Sequence, residues 1–211
     1  CHEVRTPLNS IAGFSELLCA DEVSPEAHDQ YCQIIHESRR QLRYLFEDML
    51  EVSYLENLTE PLPRSYLNLC ALCRSQLRAM KIRCPKTGVA YADGIPAETI
   101  AVVSSEKYLG VLLSALLGNA YKFTREGNIR LECGREGDER VYIAVTDTGC
   151  GIPPEKYDQA FERFTKLDPF SQGNGLGLYL CRLIVRHLGG EIRIDPEYTE
   201  GTRIVVVLPR K

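Results

Sequence analysis

The chain has no excess of basic charge. Its 25 lysines and arginines are outnumbered by 29 aspartates and glutamates, for a formal net charge of −4. A protein that holds nucleic acid by displacing counterions needs the opposite balance, so that class is set aside. No apolar run approaches the ~20 residues that cross a bilayer, and no signal peptide is visible. No Gly-Lys-Ser/Thr follows any glycine cluster, which excludes a Walker loop. The dinucleotide fingerprint, with its first strand and later ribose-binding acid, is missing as well. Internal repeats and low-complexity tracts are also lacking.

Cysteine, by contrast, is plentiful, with nine in 211 residues. Most lie within apolar patterns, as at Cys32, Cys133 and Cys181, where a free thiol behaves as a small hydrophobe. Cys70 and Cys73 form one Cys-x-x-Cys pair with Cys84 nearby, but a zinc site needs a fourth ligand at matching spacing and none follows. The pattern is that of reduced, buried thiols in a cytosolic compartment. The 44% hydrophobic and 26% charged content is that of a globular protein with a real core.

Residues 1–19 read as a helix, with Val4, Leu8, Ile11 and Leu18 at helical spacing. Pro7 lies inside it and leaves the Glu3 carbonyl without its hydrogen-bond donor. Residues 21–25 read as a turn, and Ser24-Pro25 fits an N-cap followed by a first helical proline. A second helix over residues 26–57 carries Tyr31, Ile35, Leu42, Leu45, Met49 and Val52 at a period near 3.5, the seam of a coiled coil or bundle. At ~1.5 Å per residue it spans roughly 45–50 Å. A two-helix hairpin that long cannot bury its own seam, so a second copy is expected to complete a four-helix bundle.

Pro61-Leu62-Pro63 marks a boundary. Beyond it, helices are expected over 69–81, 106–123 and 176–187, the last ending at Gly189-Gly190. Short strands are expected at 89–93 and 100–103. Residues 128–134 and 141–147 read as one hairpin, and 191–195 with 202–208 as a closing one. The fold class is therefore α+β: a long two-helix hairpin over residues 1–60, then a two-layer α/β sandwich over 64–211.

Two glycine clusters stand out in the second part. Asp147-Thr148-Gly149-Cys150-Gly151 follows an apolar strand, and Gly173-Asn174-Gly175-Leu176-Gly177 precedes a helix. Glycines there let backbone amides approach phosphate, and a helix N-terminus adds partial positive charge. One Gly-x-Gly alone is most often a tight turn. Two of them, with an acidic residue opening the first, are a far stronger signal. Asn119, in the otherwise apolar run 116–123, must find a partner or lose roughly 1–3 kcal/mol. It is either a capped or solvent-facing residue or an oxygen ligand for Mg²⁺.

These motifs resemble the catalytic core of two-component sensor histidine kinases over nearly the whole chain. His2-Glu3-Val4-Arg5-Thr6-Pro7 resembles the phosphoacceptor box, and Asn119 with Lys122 the N box. Asp147, Gly149 and Gly151 resemble the first glycine box, Phe161-Glu162-Arg163-Phe164 the F box, and Gly173, Gly175 and Gly177 the second glycine box. Glu200-Gly201-Thr202 resembles the closing Gly-Thr element.

The resemblance implies a dimerisation and phosphoacceptor hairpin followed by an ATP-binding domain of the gyrase, Hsp90 and MutL type. It implies that ATP and Mg²⁺ are used, with Asp147 accepting from the adenine amino group and Asn119 ligating the metal. Arg163 and Lys122 would neutralise phosphate charge, and the amides of Gly175 and Gly177 would cradle phosphate. Residues 152–174 would form a lid. His2 would attack the γ-phosphoryl group, Glu3 would draw its ring proton, and Thr6, one turn on, would orient water for a phosphatase reaction. The implied partners are a response-regulator receiver domain and a second copy through the hairpin, with no nucleic acid. The chain starts inside a helix, so it is expected to be a cytoplasmic fragment of a membrane-anchored sensor, joined to the membrane only through upstream segments, and it could belong to a hybrid kinase.

The pattern departs from the family at Ala115, one turn before Asn119, where a polar residue is usual, and in a short stretch between Phe164 and Gly173. Ala115 is the basis of an alternative reading, a degenerate nucleotide-binding scaffold with weak or no kinase activity. A third reading, an ATPase clamp, shares the pocket but has no use for His2.

Overall fold

In a computed structural model of the chain, residues 2–19, 23–166 and 175–211 are described, His2 by its backbone alone. Helices α1 (His2–Leu18) and α2 (Pro25–Asn57) form the hairpin. Ser24 caps α2 by accepting from the Ala27 amide at 3.2 Å, and Pro25 takes the first helical position. The cap is as expected, while part of the turn before it, residues 20–22, lies outside the described residues. Pro7 is buried inside α1.

The expected seam of α2 faces inward. Leu45 and Val52 are buried, and Tyr31, Ile35, Leu42 and Met49 are half-buried. Phe14 of α1 meets Tyr31 at a ring-centroid distance of 5.4 Å. The opposite side of α2 leaves Tyr44, Phe46, Leu50 and Tyr54 about half exposed or more. Four large apolar side chains open to solvent on a helix of 33 residues, interleaved with Arg43 and Glu47, make a surface that a partner can cover.

The rest is a sandwich of helices on a mixed sheet. Its elements run β1 (Ser65–Asn68), α3 (Leu69–Arg83), β2 (Val89–Gly94), β3 (Ala101–Ser104), α4 (Glu106–Phe123), β4 (Gly127–Glu136), β5 (Arg140–Asp147), α5 (Tyr157–Ala160), α6 (Gly177–His187), β6 (Glu191–Ile194) and β7 (Thr202–Pro209). The five-stranded sheet has the order β2-β4-β5-β7-β6, and β1 pairs with β3 in a separate two-stranded sheet. Both expected hairpins form, β4 with β5 and β6 with β7. Strand β1 lies outside the elements expected from the sequence. Within the five-stranded sheet β2 joins β4 in parallel. The parallel pairing needs a long connection between the two strands, which β3 and α4 supply.

Helices α3, α4 and α6 cover one face of the sheet in a single core with Leu109, Leu112, Leu113, Ile129, Leu131, Ile143 and Ile184 fully or almost fully buried. Val52 and Leu55 of α2 belong to that core, so the C-terminal half of the hairpin is packed on the sandwich. Lys86 donates to the Tyr121 and Thr124 carbonyls at 3.2 and 2.6 Å, placing a cation at the end of α4. The end of α6 closes on Gly189, with Gly190 donating to Val185 at 2.9 Å, as its glycine pair foretold.

Candidate active site

A cavity of about 1020 Å³ opens between α4, the end of β5, the start of α6 and the hairpin. Nucleotide-sized ligands occupy cavities of roughly 300–1,000 Å³, so the volume suits one. Strand β5 ends there on Asp147, which is 6% exposed. Its Oδ1 accepts from the Gly149 amide at 2.9 Å, and the Thr202 amide donates to the same carboxyl. Burial is the dominant influence and, against those two bonds, pushes the carboxyl up to about 6. A buried acceptor held by amides on two sides is poised to take a hydrogen bond from a ligand donor.

Close approach at this corner requires glycine. A Cβ on Gly201 would fall 2.1 Å from the Asp147 carbonyl, so the β6–β7 connection can lie against the end of β5 only without a side chain. On the other side of the cavity Gly175 adopts φ +68°, and a Cβ there would lie 2.7 Å from the Phe164 carbonyl carbon. Gly177 begins α6, and a Cβ added to it would reach 3.8 Å from the Asn119 amide nitrogen. Asn119 on α4 therefore faces the start of α6, where the helix dipole places partial positive charge.

Of the residues singled out from sequence, Asn119, Lys122, Asp147, Gly151, Gly175, Gly177 and Thr202 all line this one cavity. Gly149 stands just behind it, bonded to Asp147. Ala115 also lines it, one helical turn before Asn119. Gly173 lies outside the described residues, as does the part of the expected lid over residues 167–174. Lys122 packs its ammonium 4.4 Å from the Phe123 ring centroid at the cavity wall. Arg163 does not line the cavity: it pairs with Glu56 of α2 at 3.3 Å. At the hairpin, Glu3 and Thr6 lie on α1 with His2 at its first turn.

Sequence reasoning missed Lys166, which lines the cavity and pairs with Glu3 at 2.6 Å. It also missed Asp48 and Lys107, which bring the hairpin and α4 to the same rim. Lys166 follows the F box by two residues, and that proximity was the one signal that could have pointed to it.

The donor set fits Mg²⁺ only if phosphate and water supply most ligands. Asn119 offers one hard oxygen, and among the described residues no cluster of three or more His, Cys, Asp or Glu side chains could hold a metal. That arrangement suits Mg²⁺, which keeps several waters and binds through few protein oxygens.

Fold and cavity together define a class: an ATP-binding α/β sandwich carried on a helical hairpin. The chain belongs to the family of histidine kinase-, DNA gyrase B- and HSP90-like ATPases, which it matches over residues 104–211, and residues 1–58 match the His Kinase A phosphoacceptor domain. It is 31% identical to the histidine protein kinase DivJ of Caulobacter vibrioides over 99% of this chain and 36% of that one. It is 32% identical to the adaptive-response sensory kinase SasA of Gloeothece citriformis, over 99% of this chain and 55% of the relative. The chain thus spans from about a third to about half of those relatives' length. Among solved structures, full-length ShkA in complex with AMPPNP matches at a TM-score of 0.77 and 27% identity, over 99% of this chain and 44% of that one. Histidine kinase ThkA in complex with the response regulator TrrA matches at 0.81 and 23% identity, over 100% and 59%, and shares the fold.

Proposed function

We propose that the chain is the catalytic core of an ATP-dependent protein-histidine kinase, with a phosphoacceptor hairpin over 1–60 and an ATP-binding unit over 64–211. The observation that carries this reading is the Lys166–Glu3 contact, which joins the wall of the nucleotide cavity to the residue next to His2. A nitrogen of the His2 ring attacks the γ-phosphorus, the bond to the bridging oxygen breaks, and ADP leaves. Glu3 accepts the proton from the other ring nitrogen, which keeps the nucleophile neutral and oriented. Asp147 accepts from the adenine amino group, and the amides at Gly175 and Gly177 hold phosphate at the start of α6. Lys122 adds positive charge beside the phosphates, with Gly149, Gly151 and Thr202 shaping the adenine corner. Bound Mg²⁺, held by Asn119, would shield the phosphate charge.

The phosphoryl group then passes from His2 to an aspartate of a response-regulator receiver domain. The exposed apolar face of α2 fits a second copy of the hairpin, completing a homodimeric four-helix bundle. Thr6, on the same face as His2, fits a water-orienting role in a phosphatase reaction. No described helix is long and apolar enough to cross a membrane.

Incubation with γ-labelled ATP tests the reading. Acid-labile label on the protein, lost in His2→Gln, is expected. Steady ATP hydrolysis without a phosphoprotein would instead mark an ATPase clamp.

A further inference from the structure

Lys166 occupies two places at once. Its ammonium is 2.6 Å from Glu3 Oε2, and its side chain lines the nucleotide cavity. Both partners of the pair are sheltered, at 22% and 32% side-chain exposure. The pair spans 163 positions of sequence, so it exists only while the sandwich is docked on α1.

We propose that Lys166 is a positioning residue that acts through Glu3, a nucleotide-operated latch on the phosphoacceptor helix. The inference rests on the kinase reading above. A carboxylate already neutralised by an ammonium attracts an imidazole N–H only weakly, because much of its charge is taken up. With the cavity empty, Lys166 holds Glu3, and less of that carboxylate's charge is left to orient an imidazole beside it. A triphosphate entering the cavity carries several negative charges within reach of the same flexible side chain and outcompetes a single carboxylate. Lys166 then turns to the phosphates, and Glu3 is released to the His2 ring. The consequence is that the histidine becomes a competent nucleophile only when a phosphoryl donor is present.

Nitrogen-15 NMR of ring-labelled histidine in the full chain reads the ratio of the two neutral His2 tautomers, with His2→Gln assigning the signal. Adding a non-hydrolysable ATP analogue with Mg²⁺ is expected to shift that ratio roughly tenfold toward the tautomer bonded to Glu3, the effect of one charge-assisted hydrogen bond. Lys166→Ala is expected to show the shifted ratio without nucleotide, and Lys166→Arg to restore the nucleotide-dependent change. The latch is overturned if Lys166→Ala leaves the nucleotide-free ratio at the wild-type value, or if nucleotide shifts both proteins equally. Failure of the analogue to bind by calorimetry would defeat the kinase reading instead. The nucleotide-free comparison would still decide the latch.

Discussion

Arg163 meets Glu56 at 3.3 Å, and the same Glu56 oxygen accepts from the Tyr179 phenol at 2.5 Å. One carboxylate of α2 thus ties down both the segment after α5 and the first turns of α6. The bond to Glu56, ahead of burial, holds the Tyr179 phenol above its ordinary value. Two further contacts continue the seam: Lys107 donates to Glu51 at 3.1 Å, and His187 Nε2 donates to the Leu55 carbonyl at 2.7 Å. These polar contacts flank the apolar packing of Val52 and Leu55 on the core of the sandwich.

Glu56→Ala is therefore expected to change global stability little. Arg163 is 43% exposed, and solvent-screened pairs of this kind contribute about 1 kcal/mol or less. The larger effect belongs to docking. Amide hydrogen exchange at the C-terminal end of α2 and the start of α6 should accelerate, with exchange in β4 and β5 unchanged. Equal acceleration throughout would mean that Glu56 supports the whole fold rather than the seam.

Asp147 gives the site a pH signature. Burial raises its carboxyl from an ordinary 3.8 to about 6, so the folded protein holds a proton that the unfolded chain has lost between those values. The stability this group contributes is fully present below 3.8 and lost as pH rises through about 6. The loss is of the order of 3 kcal/mol. Urea denaturation from pH 4 to 7 should show wild type losing stability relative to Asp147→Asn, whose side chain does not titrate. Nucleotide affinity should move the other way, falling in wild type below about pH 6 as the acceptor is protonated. Parallel pH curves for the two proteins would remove Asp147 from both effects.

Asn119→Ala separates metal-dependent from metal-independent binding. The fold should be retained, because Asn119 is only half-buried. Calorimetry with an ATP analogue should show at least a tenfold weakening with Mg²⁺, about 1.4 kcal/mol. With chelator present the two proteins should bind alike. Equal weakening under both conditions would assign Asn119 to the nucleotide itself.

Gly175→Ala places a methyl group at φ +68° and 2.7 Å from Phe164 backbone. Strain of this kind costs roughly 1–2 kcal/mol, and either the F box or the start of α6 must shift to relieve it. Since both border the cavity, the expected outcome is weakened nucleotide binding with a near-normal melting temperature. A large fall in melting temperature would show that Gly175 serves the core.

How legible all this was depends on the range of each interaction. The α2 seam, the Ser24-Pro25 cap and the Gly189-Gly190 stop are local patterns, and the chain displays them in consecutive residues. Asp147, Asn119 and the second glycine cluster announced themselves because each is a polar or backbone oddity beside an apolar run. Strand β1 carried no such mark: it has four residues, no alternation of burial, and Tyr66 is 87% exposed. The destinations of Arg163 and Lys166 were illegible for a different reason. A lysine two residues past an F box can reach cavity or hairpin equally well by local rules, and only the docking of two units decides.

The cysteines offer a last test, because burial and reactivity should sort them. Cys70, Cys73, Cys133 and Cys181 are fully or almost fully buried. Cys70 and Cys133 lie 3.9 Å apart, Sγ to Sγ, between α3 and β4. A hydrogen bond with Cys73, together with burial, pushes the Cys133 thiol up, and burial alone does most of the same for Cys181. Only the thiolate reacts with alkylating agents, so these four should label at the rate of unfolding rather than at the rate of encounter. Cys19 and Cys150 are exposed and should label at once. Cys150 also lines the cavity, next to Gly151. An ATP analogue should therefore slow alkylation of Cys150 severalfold and leave Cys19 untouched, as mass spectrometry of the labelled peptides would show. Protection of Cys19 to the same degree would point to a general tightening of the chain, and no protection of Cys150 would place the nucleotide elsewhere than against the first glycine cluster.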